Sequence, residues 1–277
     1  MKISIIGLGA MGTPMARHLK ETGHELLLYT RRPEKVDELS AIAPVTMDLA
    51  ECCQNPVIIL NVLGTEDVIE VTTQLALDLA PGTLVIDHST IDPAGARVAA
   101  GLIRDAGGEF VDAPVSGGEQ KAITGELVSM VGGEARAIER AAEVFAPYIK
   151  SYVHLGESGA GQVAKLCNQI AQVVNIQGIC EAMRFAAHHQ VDQARVLDAI
   201  RGGMAGSQML ELMGPKIVSQ DFSAGIQSRL HAKDLNIAAD AALSELPALQ
   251  ATLAKLNELI ESGGGHDDTS SLYRLLK

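Results

Sequence analysis

The sequence predicts an α/β protein, with a doubly wound sheet domain first, an all-helical domain after it, and a long helix joining the two. Three observations carry this. Short β-branched runs alternate with helical stretches as far as residue 155. Most of these runs are continuously apolar, the pattern of strands covered on both faces. After Gly156 the strand signals stop and long helical periods take over.

Taken in order, KISII (2 to 6), ELLLYT (25 to 30), PVIILNV (56 to 62), TLVIDHST (83 to 90), EFVDAP (109 to 114), LVSMVGG (127 to 133) and SYVHL (151 to 155) read as strands. Several of the intervening segments are long enough for the helix that a parallel crossover requires, so the sheet is expected to be doubly wound. The helical part is expected to break at RGGMAG (201 to 206), MGP (213 to 215) and SGGG (262 to 265). This reading places one domain at 1–158 and the second at 159–277, with the helix from about Ala160 as the joining element.

Composition limits the function. The chain has 277 residues, 47% of them apolar, enough for a substantial core. Lys and Arg number 22 against 34 acids, a formal charge of -12, which repels nucleic acid and anionic membrane surfaces. No apolar run reaches the ~20 residues of a membrane span, and the N-terminus enters a strand at once, so a cytoplasmic location is expected. Cys52, Cys53, Cys167 and Cys180 show neither disulfide nor zinc spacing and read as reduced thiols, and no metal is expected.

The first chemical motif is GLGAMG, residues Gly7, Leu8, Gly9, Ala10, Met11 and Gly12, lying between the first strand and a helix. In that order the glycines permit a tight turn and close approach of a pyrophosphate, whose charge meets free N–H groups at the helix start. This is the mark of a Rossmann-type dinucleotide site, the alternative being an ordinary strand-to-helix turn. At the end of the second strand stand Thr30, Arg31 and Arg32 rather than an acid. Two guanidinium groups suit a 2′-phosphate, which favours NADP with NAD as the alternative; otherwise they are a solvated surface pair. Ligands of such sheets bind beyond the carboxyl ends of the strands, where Leu63 and Thr90 lie. Thr90 either touches the cofactor or caps the next helix. DAPVSGG ends with Ser116, Gly117 and Gly118, either a nest of N–H groups for a carboxylate or a flexible turn.

In GAGQVAKLCNQIAQVVN (159 to 175), Lys165, Asn168, Gln172 and Asn175 share an arc of about 80° when residues advance about 100° each. Apolar residues take much of the remaining surface, so the stripe is expected to line a cleft between the domains, although Gln162, Gln169 and Gln177 blur its edges. A lysine in such a cleft is desolvated toward its neutral form and suits proton transfer, the alternative being a lysine that snorkels to water.

With IGLGAMGTPMA, DAPVSGG, GAGQVAKLCNQ and KDL (Lys233 to Leu235) in order, the chain resembles the β-hydroxyacid dehydrogenases over essentially its whole length. The resemblance implies that Lys165 is the catalytic acid/base, that Ser116, Gly117 and Gly118 hold a substrate carboxylate, that Asn168 orients the substrate, and that Lys233 and Thr90 reach the cofactor. It implies reversible NAD(P)H-dependent reduction of a small carboxylate-bearing aldehyde to a hydroxy acid. IRGGMAGSQML (200 to 210) and DAPVSGGEQKAITGEL look most like the branch that reduces tartronate semialdehyde to D-glycerate. The other candidates are 3-hydroxyisobutyrate oxidation, glyoxylate or succinic semialdehyde reduction, and, from a different class, a non-catalytic cofactor-dependent binding module. The apolar helical half suggests a homo-oligomer, dimer or tetramer.

Overall fold

The computed structural model describes residues 1–223 and 225–276, and the chain divides into two compact units, 1–165 and 166–277.

The first unit is built on nine strands: β1 (Lys2–Ile6), β2 (Glu25–Tyr29), β3 (Val45–Thr46), β4 (Val57–Leu60), β5 (Leu84–Asp87), β6 (Glu109–Asp112), β7 (Val115–Ser116), β8 (Leu127–Gly133) and β9 (Ile149–Gly156). Six run parallel in the order β3-β2-β1-β4-β5-β6. Beyond β6 the sheet turns mixed: β8 is antiparallel to β6 and to β7, and parallel to β9. All seven sequence-predicted runs form strands. The two-residue strands β3 and β7 escape sequence reading because two residues carry no periodicity.

The helices are α1 (Gly12–Glu21), α2 (Val36–Ser40), α3 (Leu49–Cys52), α4 (Thr65–Asp78), α5 (Pro93–Asp105), α6 (Gly118–Thr124), α7 (Ala135–Phe145) and α8 (Ala160–His188), followed by α9 (Gln193–Arg201), α10 (Gln208–Ser219), α11 (Ser228–Asp240) and α12 (Pro247–Glu261). The period of two within β4 shows why the sheet is double-wound. Val57 and Ile59 join a core with Met15 and Leu19 of α1 and Phe145 of α7, whereas Ile58 and Leu60 join another with Val68 and Leu75 of α4 and Ile103 of α5. β9 departs from this pattern: only Ile149 is buried, and Tyr152, Val153 and Leu155 are exposed.

The chain leaves the first unit inside α8, after Lys165. In the second unit Val173, Ile176 and Met183 of α8 pack with Leu210 and Ile217 of α10, Leu235 of α11, Leu256 of α12 and Leu272. The break expected at MGP does not occur, and α10 runs through Pro215. Pro215 and Glu211, whose carbonyl loses its helical partner, are both exposed, so water can replace the missing bond. Gly214 is buried there and packs so close to Leu197 that a Cβ would stand 2.5 Å from its side chain.

All four cysteines are free; Cys52, Cys53 and Cys180 are buried and Cys167 is exposed. Burial pushes the Cys52 and Cys180 thiols up to about 12 and Cys53 to about 11. Among the described residues no helix is long and apolar enough to cross a membrane.

Candidate active site

The parallel strand order reverses between β1 and β4, and the glycine motif sits at the exit of β1. Gly7 has φ +99°, and a Cβ there would meet the Asn61 carbonyl at 2.1 Å, so a side chain is barred by both conformation and contact. At Gly12 a Cβ would stand 2.1 Å from the Gly7 carbonyl oxygen, which presses the start of α1 against the turn. Gly9 differs, since nothing lies within 4 Å of its missing Cβ. A turn glycine, a packing glycine and a glycine facing open space are what a pyrophosphate-binding turn needs, so the residues fit a dinucleotide. Leu8 and Met11 are half-buried and Ala10 is exposed.

At the end of β2, Thr30 is buried and its hydroxyl accepts the Arg32 N–H at 3.1 Å, fixing a tight turn. The Arg31 side chain is 61% exposed, with its guanidinium 3.2 Å from Asp67 and 3.6 Å from Glu70 of α4. Arg32 is exposed. Neither acid of α4 was legible as a neighbour of the arginines, because 36 residues separate Arg31 from Asp67.

Leu63, beyond β4, is 57% exposed, and Thr90, beyond β5, is half-buried. Neither Ser89 nor Thr90 caps α5; Asp92 does, accepting the Gly95 N–H at 2.8 Å with Pro93 at the first helical position. The Ser89 hydroxyl instead accepts the Val62 N–H at 2.9 Å. Ser116 ends β7, and Gly117 (φ +136°) and Gly118 (φ +68°) follow with both backbones in the region that favours glycine.

Two residues that sequence reading missed fasten the start of α8. Asp112, the last residue of β6, is fully buried, and its carboxylate accepts the Gly159 N–H at 2.8 Å and the Gln162 N–H at 3.1 Å. Burial raises its pKa to about 6 against the opposing pull of these backbone donors. The approach is so close that a Cβ on Gly161 would lie 2.8 Å from the Asp112 carboxylate and 2.5 Å from the Met130 carbonyl. Gln162, also fully buried, accepts the Ile91 N–H at 3.0 Å and donates to the Ser89 carbonyl at 2.8 Å. One turn on, Lys165 is buried at 7% exposure. An acid at the ligand end of a strand was the available signal for Asp112. For Gln162 there was none beyond its place in the motif.

In the second unit the remaining amides of the stripe are engaged locally. Asn168 donates to Gln169 at 2.9 Å, Gln169 donates to Asp234 at 2.5 Å, the Gln172 amide lies 3.3 Å from His231, and Asn175 accepts from Ser207 at 2.8 Å. Gln172 and Asn175 therefore tie α8 to neighbouring segments of this unit. Lys233 of α11 lies 2.9 Å from Asp234. Among the described residues no group of His, Cys, Asp and Glu is arranged to hold a metal ion.

Residues 2–156 match the family described as the NAD-binding domain of 6-phosphogluconate dehydrogenase, and residues 159–276 match the NAD-binding of NADP-dependent 3-hydroxyisobutyrate dehydrogenase. The chain is 35% identical to 2-hydroxy-3-oxopropionate reductase of Escherichia coli (strain K12), covering all of this chain and 97% of the relative. The chain belongs to the β-hydroxyacid dehydrogenase family. Like other β-hydroxyacid dehydrogenases it is an NAD(P)-dependent oxidoreductase. It is also 34% identical to the NAD-dependent L-serine dehydrogenase of Pseudomonas aeruginosa, over 99% of this chain and 97% of that one. In structure it resembles the Mycobacterium tuberculosis 3-hydroxyisobutyrate dehydrogenase solved with L-serine, at a TM-score of 0.93, 28% identity, and coverage of 100% and 99%. That likeness extends through the Rossmann-type sheet and the helical part that follows it.

Proposed function

We propose that this β-hydroxyacid dehydrogenase reduces tartronate semialdehyde to D-glycerate, with NADPH preferred to NADH and with Lys165 as acid and base. The observation that carries the chemistry is Lys165 itself, a buried lysine on the one helix whose first turn is fastened by Asp112 and Gln162. A bound nicotinamide cofactor supplies the hydride for reduction and accepts it in oxidation. Gly7, Leu8, Gly9, Ala10, Met11 and Gly12 hold its pyrophosphate, Thr30, Arg31 and Arg32 its adenosine ribose end, and Leu63, Thr90 and Lys233 its remaining length.

Ser116, Gly117 and Gly118 hold the substrate carboxylate, the two glycines presenting their N–H groups from backbone of positive φ. Asn168 orients the substrate, three residues from Lys165 and therefore on the same helix face. In reduction the Lys165 ammonium donates its proton to the oxygen as the carbonyl carbon becomes tetrahedral. In oxidation its neutral amine takes the proton from the hydroxyl.

The three-carbon substrate is supported by the 35% identity to the Escherichia coli reductase and by the small residues of RGGMAG. A second reading, oxidation of L-serine or another 3-hydroxy acid, is favoured by the Pseudomonas aeruginosa relative. Steady-state rates with tartronate semialdehyde, succinic semialdehyde, methylmalonate semialdehyde, glyoxylate, 3-hydroxyisobutyrate and L-serine, each with both nicotinamides, test the assignment. It stands if tartronate semialdehyde with NADPH gives the largest kcat/KM. It fails if another pair exceeds it tenfold. Self-association as a dimer or tetramer belongs to the same reading and is supported by exposed apolar residues of the helical unit such as Phe185, 67% exposed.

A further inference from the structure

We propose that Gln162 is a positioning residue that sets the placement of Lys165 relative to Thr90, and so aligns the proton donor with the cofactor; this rests on the roles proposed above for those two residues. Gln162 is fully buried, and its amide bridges two backbone groups that flank Thr90. Its Oε1 accepts the Ile91 N–H at 3.0 Å and its Nε2 donates to the Ser89 carbonyl at 2.8 Å. The partners dictate the amide orientation, because only the oxygen can accept and only the nitrogen can donate.

The segment so gripped is itself braced. The Ser89 hydroxyl accepts the Val62 N–H at 2.9 Å, the Ser89 N–H donates to Asp87 at 2.9 Å, and the Asp92 N–H donates to Thr65 at 3.0 Å. Val62 directly precedes Leu63, so the exits of β4 and β5 form one hydrogen-bonded frame, and the Gln162 amide fastens α8 to it. The backbone of Gln162 is fixed from the other side by Asp112 at 3.1 Å. A helix moves as a rigid element, so Lys165, three residues and about 4.5 Å of helical rise further on, follows any shift of this turn. A misplacement of about 1 Å costs about 10²-fold in rate, which makes a buried two-point bracket at this position consequential for catalysis beyond stability.

The discriminating variants are Gln162→Met and Gln162→Glu. Met keeps the length and shape while removing both hydrogen bonds. Glu keeps an acceptor for Ile91 but sets a second oxygen against the Ser89 carbonyl, unless a proton restores the donor. For Gln162→Met in the full chain, kcat is expected to fall about 10- to 100-fold while KM for the aldehyde and the Kd for NADPH each change less than about threefold. The primary isotope effect with NADPH deuterated at the transferred position should rise, because chemistry has become slower. In the cofactor-free protein, amide exchange at Ile91 should accelerate, a direct reading of the lost bracket. For Gln162→Glu, kcat relative to wild type should recover as pH is lowered and the carboxyl protonates.

Wild-type kcat in Gln162→Met, or unaltered exchange at Ile91, overturns the proposal. So does a loss of rate that matches the unfolded fraction in a thermal melt, or a Gln162→Glu rate that does not recover at low pH while the protein stays folded. A Lys165→Ala control separates the two levels. An inactive Lys165→Ala beside a fully active Gln162→Met removes only the role of Gln162, whereas an active Lys165→Ala removes the reading on which that role depends.

Discussion

The Arg31 guanidinium lies 3.2 Å from the Asp67 carboxylate, with Glu70 at 3.6 Å on the same helix. The cation proposed to receive a 2′-phosphate thus stands beside two acids that repel such a group and compete for the same N–H donors. These contacts are solvated and individually weak, so they should moderate the proposed preference for NADPH rather than reverse it. Replacing both acids, as Asp67→Asn with Glu70→Gln, should raise the ratio of kcat/KM for NADPH over NADH by about 3- to 10-fold. Arg31→Ala should weaken NADPH by about 1–3 kcal/mol and leave NADH nearly unchanged. Equal effects on both nicotinamides in equilibrium titrations would remove Arg31 from phosphate recognition.

Lys165→Ala should lower kcat by about 10²–10⁴-fold, the worth of a positioned acid/base, with the Kd for NADPH within about threefold of wild type. Single-turnover rates at saturating cofactor measure it. Full turnover at neutral pH would end the assignment.

The three glycines of the turn should respond differently to alanine. Gly7→Ala meets a backbone oxygen at 2.1 Å and a φ of +99°, and Gly12→Ala meets another at 2.1 Å, so each should cost at least about 2 kcal/mol in thermal or denaturant unfolding. Gly9→Ala has nothing within 4 Å and should melt within about 0.5 kcal/mol of wild type while losing NADPH affinity at least tenfold. Equal losses of stability in all three would mean that the open space at Gly9 is not where the pyrophosphate approaches.

Two buried groups of the first unit act on stability with opposite sign. His88 donates from Nδ1 to the Ala113 carbonyl at 2.6 Å and accepts from the Tyr148 hydroxyl at 3.0 Å, and burial lowers its pKa from 6.5 to about 4. Between these values the unfolded chain binds the extra proton, so the contribution of His88 is complete above pH 6.5 and is lost as pH falls toward 4. Asp112 has the reverse sign. Its pKa rises from 3.8 to about 6, so the folded state binds the extra proton and stability is lost as pH rises through that window. Each amounts to about 3 kcal/mol, and between about pH 4 and 6 the two nearly cancel. Asp112→Asn removes one of them. Relative to wild type, this variant should therefore lose about 3 kcal/mol as pH is lowered from 6 to 4 in urea titrations. A pH profile parallel to wild type would contradict this.

The fold was legible where one residue type serves one purpose. Continuous apolar runs such as VIIL require cover on both faces, and the glycines of GLGAMG announce their turn by spacing alone. What stayed hidden were polar residues whose partners lie far along the chain. Gln162 meets Ser89 across 73 residues and Asp112 meets Gly159 across 47, and nothing local in the sequence encodes either pairing. The amides of α8 show the same limit. Their shared face is written in the helical period, but whether each serves a ligand or a neighbouring segment is decided by residues such as His231 and Ser207. Pro215 misled because its rule concerns an average helix, and here the cost falls at two exposed residues, Glu211 and Pro215, on the solvent side of α10.

Cys167 is the exposed member of four thiols, the other three being buried with their ionisation suppressed. Alkylating dyes should therefore couple at one place in the native protein, two residues from Lys165. The polypeptide comes furnished with an attachment point for an optical reporter on α8, with no need to engineer a cysteine.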